Sequence, residues 1–241
     1  MRGIIKTGPG PGLEYRDDLP IPEINEDEIL MKVRCSSICG TDIGIYDWND
    51  WSRRRIHTFP RVIGHETTGE IVKIGKNVKD RFVGQRVSCE SHIWDGTCPH
   101  CLAGNRHICA NMSLFGIMQD GAFAEYAKIR ADCSYVLDDA ISDEQGCIYE
   151  PMGSGVHGVE EAEVKGKTVL VAGCGAIGLT VVAACHVFGA RRIIACDLFD
   201  EKLEAARAMG ADIVINSSRE NLTERVLGLT DGLGVEAAID V

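Results

Sequence analysis

The stretch VLVAGCGAIGLT, residues 169–180, decides the fold of the second half of the chain. A short apolar run leads into Gly173, Gly175 and Gly178, spaced G-x-G-x-x-G, and a segment able to form a helix follows. In a strand–turn–helix unit the first glycine permits the tight turn, the second lets a pyrophosphate approach the backbone, and the third lets helix and strand pack closely. Such a motif is weak alone, so its surroundings matter. KTVLVAG (167–173), RRIIACD (191–197), ADIVIN (211–216) and VEAAIDV (235–241) read as strands, with helices expected near 176–188, 200–209 and 219–229. That alternation is a βαβαβαβ series, the pattern of a parallel sheet covered by helices. The second strand ends at Asp197, 19 residues after Gly178. There a carboxylate can bind the ribose 2′-hydroxyl of NAD and would repel an added 2′-phosphate, and Lys202, a few residues on, is a candidate to touch the ribose or to tolerate some NADP.

Upstream the rhythm differs. ILMKVRC (29–35), TGEIVKIG (68–75) and GQRVSCE (84–90) alternate over short spans between glycine- and proline-rich turns, the mark of a mostly-β domain. We place the domains at 1–155 and 156–241, with the junction inside EPMGSGVHGVEEAEVKGK (150–167).

The 241 residues are 45% hydrophobic, enough for a real core, and 25 Lys+Arg against 36 Asp+Glu leave a net charge of −11. That balance argues against nucleic acid or an anionic membrane as partner. MRGIIKTGPGPGLEYRDD has neither a signal peptide's apolar run nor an Arg-rich amphipathic character, and no segment supplies the roughly 18 apolar residues of a membrane span. A cytoplasmic protein is expected. In that setting eleven cysteines read as metal ligands plus ordinary buried thiols, and Cys133, Cys147, Cys174, Cys185 and Cys196 fall in the second class.

DGTCPHCLAGNRHIC (95–109) spaces Cys98, Cys101 and Cys109 as a closed zinc site does, yet offers three thiolates where tetrahedral zinc takes four ligands. The fourth place is filled by another donor, left to water, or the lobe holds no metal. CGTD (39–42) and GHE (64–66) add Cys39 and His65 in glycine-flanked turns, with Glu66 and the later Glu150 as oxygen donors. Zinc together with a dinucleotide points to hydride removal from an alcohol, the metal acidifying the hydroxyl and the nicotinamide taking the hydride.

CGTD, GHETTGEIVKIG, VGQRV, CPHCLAGNRHIC, GAFAEYAKI and VLVAGCGAIGL occur in the order found in the zinc-dependent medium-chain alcohol dehydrogenases, and the resemblance covers essentially the whole chain. IYDWNDW (45–51), ESHI (90–93) and EPMGSGVH (150–157) resemble the branch that oxidises threonine at its secondary alcohol to 2-amino-3-oxobutanoate. The resemblance implies an α/β protein: a GroES-like catalytic domain, then a Rossmann doubly wound parallel sheet that is incomplete at its C-terminal end. It implies a catalytic zinc on Cys39, His65 and Glu66, with Glu150 as interchangeable ligand or essential neighbour. NAD contacts would come from Ile177, Asp197 and Lys202 beside the three glycines, and His92 falls at an active-site histidine near the substrate.

The family's second zinc lobe runs Cys-x₂-Cys-x₂-Cys-x₇-Cys. Asp95 stands at its first position here, so Asp95, Cys98, Cys101 and Cys109 form the expected set, with His100, His107 or a metal-free lobe as alternatives. Thr41 matches the family's proton-relay threonine, but the relay histidine's position is Gly44. Four strands of a six-stranded 3-2-1-4-5-6 sheet are countable, so the chain is expected to be truncated and to turn over poorly. The full-length protein is expected to be a homotetramer or homodimer acting on a small alcohol. Two rival readings are a polyol (sorbitol or xylitol) or butanediol dehydrogenase, and a zinc- and NAD-binding redox sensor without turnover.

Overall fold

The computed structural model describes residues 1–241. It divides into two compact units, Met1–Glu150 and Pro151–Val241. The division falls at the start of the segment 150–167, five residues before the bound at 155, within a helix that runs through it.

The first unit contains, in chain order, β1 (Gly3–Lys6), β2 (Glu14–Arg16), β3 (Glu28–Ser36), α1 (Gly40–Asp47), α2 (Asp50–Arg55), β4 (Arg61–Val62), β5 (Thr67–Ile74) and β6 (Arg86–Cys89). It continues with β7 (His92–Ile93), α3 (Pro99–Leu102), β8 (Ser113–Leu114), β9 (Tyr126–Arg130), β10 (Ser134–Val136) and α4 (Asp143–Cys147). A five-stranded antiparallel sheet of order β10-β6-β5-β3-β9 forms its frame, with β2-β1-β4 and β7-β8 as smaller sheets. Alternate residues of the long strands point into one core, where Ile29, Met31, Ile71, Val87, Phe115 and Ile129 are almost wholly buried. Each such side chain contributes about 1.5–3 kcal/mol by leaving water. Register shifts after Leu30 and Val33 bend β3 as it approaches Cys39.

Helix α5 (Tyr149–Glu161) leads into the second unit, which holds β11 (Thr168–Ala172), α6 (Ala176–Val187), β12 (Arg192–Asp197), α7 (Asp200–Ala208), β13 (Ile213–Asn216), α8 (Leu222–Leu229) and β14 (Ala237–Asp240). All pairings are parallel and the order is β13-β12-β11-β14, the expected 3-2-1-4 arrangement. Strands buried on both faces read as continuous apolar runs, which is why the sequence displays them clearly. On one face α6 and α7 bury Val181, Val182, Cys185, Leu203 and Ala206 against Val169, Val171 and Ile193. On the other α8 buries Val226 against Ile194 and Ile215. The sheet is thus wound on both sides.

The five cysteines read as small hydrophobes are buried free thiols. Burial pushes Cys185 and Cys174 up to about 11 and Cys133 and Cys147 up to about 12, so none is a thiolate at neutral pH. No helix is long and apolar enough to cross a membrane.

Candidate functional site

Cys39 caps the N-terminus of α1, where its backbone N–H donates to Asp42 Oδ2 at 2.9 Å. His65 and Glu66 follow Gly64, whose φ of +93° turns the chain under the Phe123 ring, where a Cβ would overlap that ring. Ser37 ties the two segments together: its N–H donates to the Glu66 carbonyl at 3.1 Å and its hydroxyl to Glu66 Oε2 at 2.5 Å. The result brings the Cys39 sulfur, a His65 ring nitrogen and a Glu66 oxygen within 4.8 Å of one another, with His65 and Glu66 buried.

This donor set fits zinc. Thiolate, imidazole and carboxylate are its usual ligands, and the buried Glu66 and Asp42 side chains call for a cation beside them. Two buried polar atoms, His65 Nδ1 and Asp42 Oδ1, lie 3.6 Å apart without hydrogen-bond partners. Asp42 would orient His65 through Nδ1, and the other ring nitrogen would be the one to hold the metal, the usual outer-shell arrangement of a ligating histidine. Burial of the ring opposes its charged form, but the neighbouring Asp42 and Cys39 outweigh that and push His65 up to about 10. In the metal-free protein the ring therefore carries a proton at neutral pH, and metal entry must displace it. Asp42, the last residue of CGTD, meets both the Cys39 backbone and the His65 ring, a contact that motif reading passed over.

Glu150 lies outside this triad. Its carboxylate accepts from the Ser91 hydroxyl and groups with Glu90 and His92, the three sets of ligand atoms lying within 4.8 Å. Burial raises Glu150, while His65 acts against that rise through its charge, as expected for a neighbour of the metal ligands. His92, on β7, is raised by its hydrogen bond to Glu90 at 2.7 Å and feels both Glu150 and His65. Thr41 sits half-buried in the first turn of α1, two residues from Cys39. Gly44 is no simple gap: a Cβ there would meet Asn49 Nδ2 at 2.6 Å, and Asn49 is pinned as the cap of α2 by Ser52 N–H at 2.9 Å. An amide occupies the space an imidazole would need.

In the cysteine lobe the ligand atoms of Asp95, Cys98, Cys101 and Cys109 all lie within 4.8 Å, and His100 and His107 are outside the group. The Cys98 and Cys109 sulfurs are 3.9 Å apart, where tetrahedral zinc with bonds of about 2.3 Å places them about 3.8 Å apart. Asp95 Oδ1 accepts from the Cys98 and Thr97 backbone at 3.0 and 2.8 Å, and Oδ2 from Asn111 Nδ2 at 2.6 Å. These bonds, the Cys98 amide foremost, hold the Asp95 carboxyl well below its ordinary value. The backbone amides of Cys101 and Ala110 lower Cys98. The lobe therefore offers one carboxylate and three sulfurs in zinc-sized geometry. Trp94, flanked by the Arg106 and Arg130 guanidinium groups at 4.9 and 5.8 Å, anchors it to the sheet.

In the second unit the three glycines do different things. Gly173 turns with φ +98°, and a Cβ on Gly178 would overlap the Gly173 carbonyl. A Cβ on Gly175 would meet nothing within 4 Å, so the open face of the turn lies there, at the N-terminus of α6, where unpaired amides suit a pyrophosphate. Ile177 occupies the first turn of α6. Asp197 Oδ2 accepts from the Cys174 amide at 2.8 Å and Oδ1 from the Leu198 and Phe199 amides at 2.7 and 3.1 Å. Burial opposes its charge, but these amides outweigh burial and hold it below the usual carboxylate range. Lys202 Nζ stands 3.8 Å from Asp197 and over the Phe199 ring.

Residues 25–139 match the alcohol dehydrogenase GroES-like domain and residues 176–241 the zinc-binding dehydrogenase domain. The L-threonine 3-dehydrogenase of Caldanaerobacter subterraneus subsp. tengcongensis is 43% identical over 91% of this chain, which spans 63% of that protein. The Pyrococcus horikoshii L-threonine 3-dehydrogenase is 40% identical over 100% of this chain, which spans 68% of it. This chain belongs to the zinc-dependent medium-chain alcohol dehydrogenases. A solved Escherichia coli CFT073 alcohol dehydrogenase complexed with NADH shares the fold with a TM-score of 0.89 and 32% identity, over 100% of this chain and 69% of that one. As a member of this family the chain has a GroES-like first unit and a Rossmann second unit.

Proposed function

We propose that this dehydrogenase carries the zinc and NAD machinery of an L-threonine 3-dehydrogenase, oxidising the secondary alcohol of threonine to 2-amino-3-oxobutanoate. One observation carries the reading furthest: the Glu90, His92 and Glu150 group lies beside the Cys39, His65 and Glu66 triad, so a substrate hydroxyl near the metal has acidic neighbours. An alcohol bearing an ammonium group suits such a wall better than a neutral polyol does. When bound, zinc acidifies the hydroxyl and NAD accepts the hydride. Cys39, His65 and Glu66 would hold the metal, Asp42 would orient His65, and Thr41 would pass the hydroxyl proton outward. Gly173, Gly175 and Gly178 would shape the pyrophosphate turn beside Ile177, Asp197 and Lys202. The same resemblance underlies a cytoplasmic location and a homotetrameric or homodimeric full-length assembly.

The test is NADH absorbance from full-length protein given threonine, sorbitol, xylitol or 2,3-butanediol. Threonine should show the highest kcat/KM. A preference for a polyol or butanediol would replace the substrate assignment, and bound zinc and NAD without any NADH formation would make the protein a sensor.

Cofactor choice gives a second expected result. Asp197 ends β12 as a carboxylate, so NAD should bind tighter than NADP, and Asp197→Asn should narrow the difference by removing the charge that repels the 2′-phosphate. Equal affinities of the wild type in titration calorimetry would contradict this.

A further inference from the structure

Glu90 has no part in the zinc triad, yet its surroundings give it a defined task. It follows β6, where its N–H donates to the Cys133 carbonyl at 2.8 Å. Two residues on, His92 is fixed in β7 by pairing with Leu114. The chain bends at Ser91 between the two strands, and the Glu90 carboxylate reaches the ring across that bend. Glu90 Oε1 accepts from the His92 backbone N–H at 2.8 Å and stands 2.7 Å from ring Nδ1. The other neighbour of Nδ1 is the Ser91 hydroxyl at 3.3 Å, whose hydrogen goes to Glu150. Both groups facing Nδ1 are thus acceptors, so Nδ1 must carry the hydrogen and the neutral ring keeps its lone pair on Nε2.

We propose that Glu90 is the positioning residue that fixes His92 in the Nδ1–H tautomer, so that Nε2 accepts a hydrogen bond from the ammonium group of the substrate. The ammonium half of this inference rests on the threonine reading above; the tautomer half does not. The neutral histidine side chain in water favours the opposite tautomer, so without Glu90 the ring presents an N–H to the substrate and repels a cationic group. Glutamine at this position preserves the arrangement, because the His92 backbone N–H selects its amide oxygen and that oxygen also accepts from Nδ1.

The experiment is side-chain ¹⁵N NMR of histidine-labelled, zinc-loaded protein at high pH, with the His92 signals identified by their loss in His92→Gln. Wild type and Glu90→Gln should show the Nδ1–H pattern and Glu90→Ala the Nε2–H pattern. In parallel, Glu90→Ala should raise the KM for threonine about tenfold with kcat little changed, Glu90→Gln should recover most of that rise, the remainder being the charge it takes from the acidic wall, and the KM for butanediol should change far less. An Nε2–H wild type, or a Glu90→Ala variant that keeps Nδ1–H, overturns the proposal. Equal rises in KM for threonine and butanediol overturn its ammonium half. The tautomer shift in a protein that oxidises no threonine removes the threonine reading and upholds the positioning of His92.

Discussion

Gly178→Ala should lower the stability of the second unit by about 3 kcal/mol, while Gly175→Ala should melt like the wild type and lose about a hundredfold in NAD affinity. The two substitutions add the same methyl group three residues apart. At Gly178 the new Cβ overlaps the Gly173 carbonyl, a backbone atom held in the turn by its bond from Gly173 N–H to the Cys196 carbonyl at 2.9 Å. No side-chain rotation relieves that overlap, so α6 must separate from β11. At Gly175 the Cβ meets nothing, and its φ of −74° suits alanine, so folding is untouched. The added methyl instead stands where a pyrophosphate must approach the α6 amides. Thermal unfolding and NAD titration calorimetry on both variants separate the effects. Normal NAD affinity in Gly175→Ala would place the dinucleotide elsewhere.

Asp42→Ala should weaken zinc binding at the Cys39, His65 and Glu66 triad by about 10- to 100-fold and leave the cysteine lobe loaded. Asp42 acts on two ligands at once: Oδ2 fixes the Cys39 backbone and Oδ1 faces His65 Nδ1. Its loss frees the ring to rotate and removes an anion that favours the cation. Competition against a chromophoric chelator measures the change. Unchanged affinity would reduce Asp42 to a helix cap.

The dinucleotide half was legible because its strands are buried on both faces and its glycines obey a spacing with a physical cause; even the order 3-2-1-4 followed. In the first unit, β3, β5 and β6 are long enough to show alternation. The two-residue strands β4, β7 and β8 carry no periodicity, although β7 presents His92. Metal-ligand candidates were visible by residue type, but their supports were not. Ser37 meets Glu66, Ser91 meets Glu150 and Asn111 meets Asp95 only after the chain has folded back over 29, 59 and 16 residues. Gly44 read as a missing relay group, whereas the fold places the Asn49 amide over it. Helix α5 is continuous across the division, which lies at the start of the segment 150–167 read as the junction.

This chain should hold metal in two separate donor sets, Cys39, His65 and Glu66 in one and Asp95, Cys98, Cys101 and Cys109 in the other, the second built with a carboxylate beside three thiolates. Elemental analysis of zinc per chain in wild type and Asp95→Ala tests that directly. About two ions should be found in the wild type and about one in the variant, since tetrahedral zinc loses a quarter of its ligands there. One ion in the wild type, unchanged by Asp95→Ala, would contradict it.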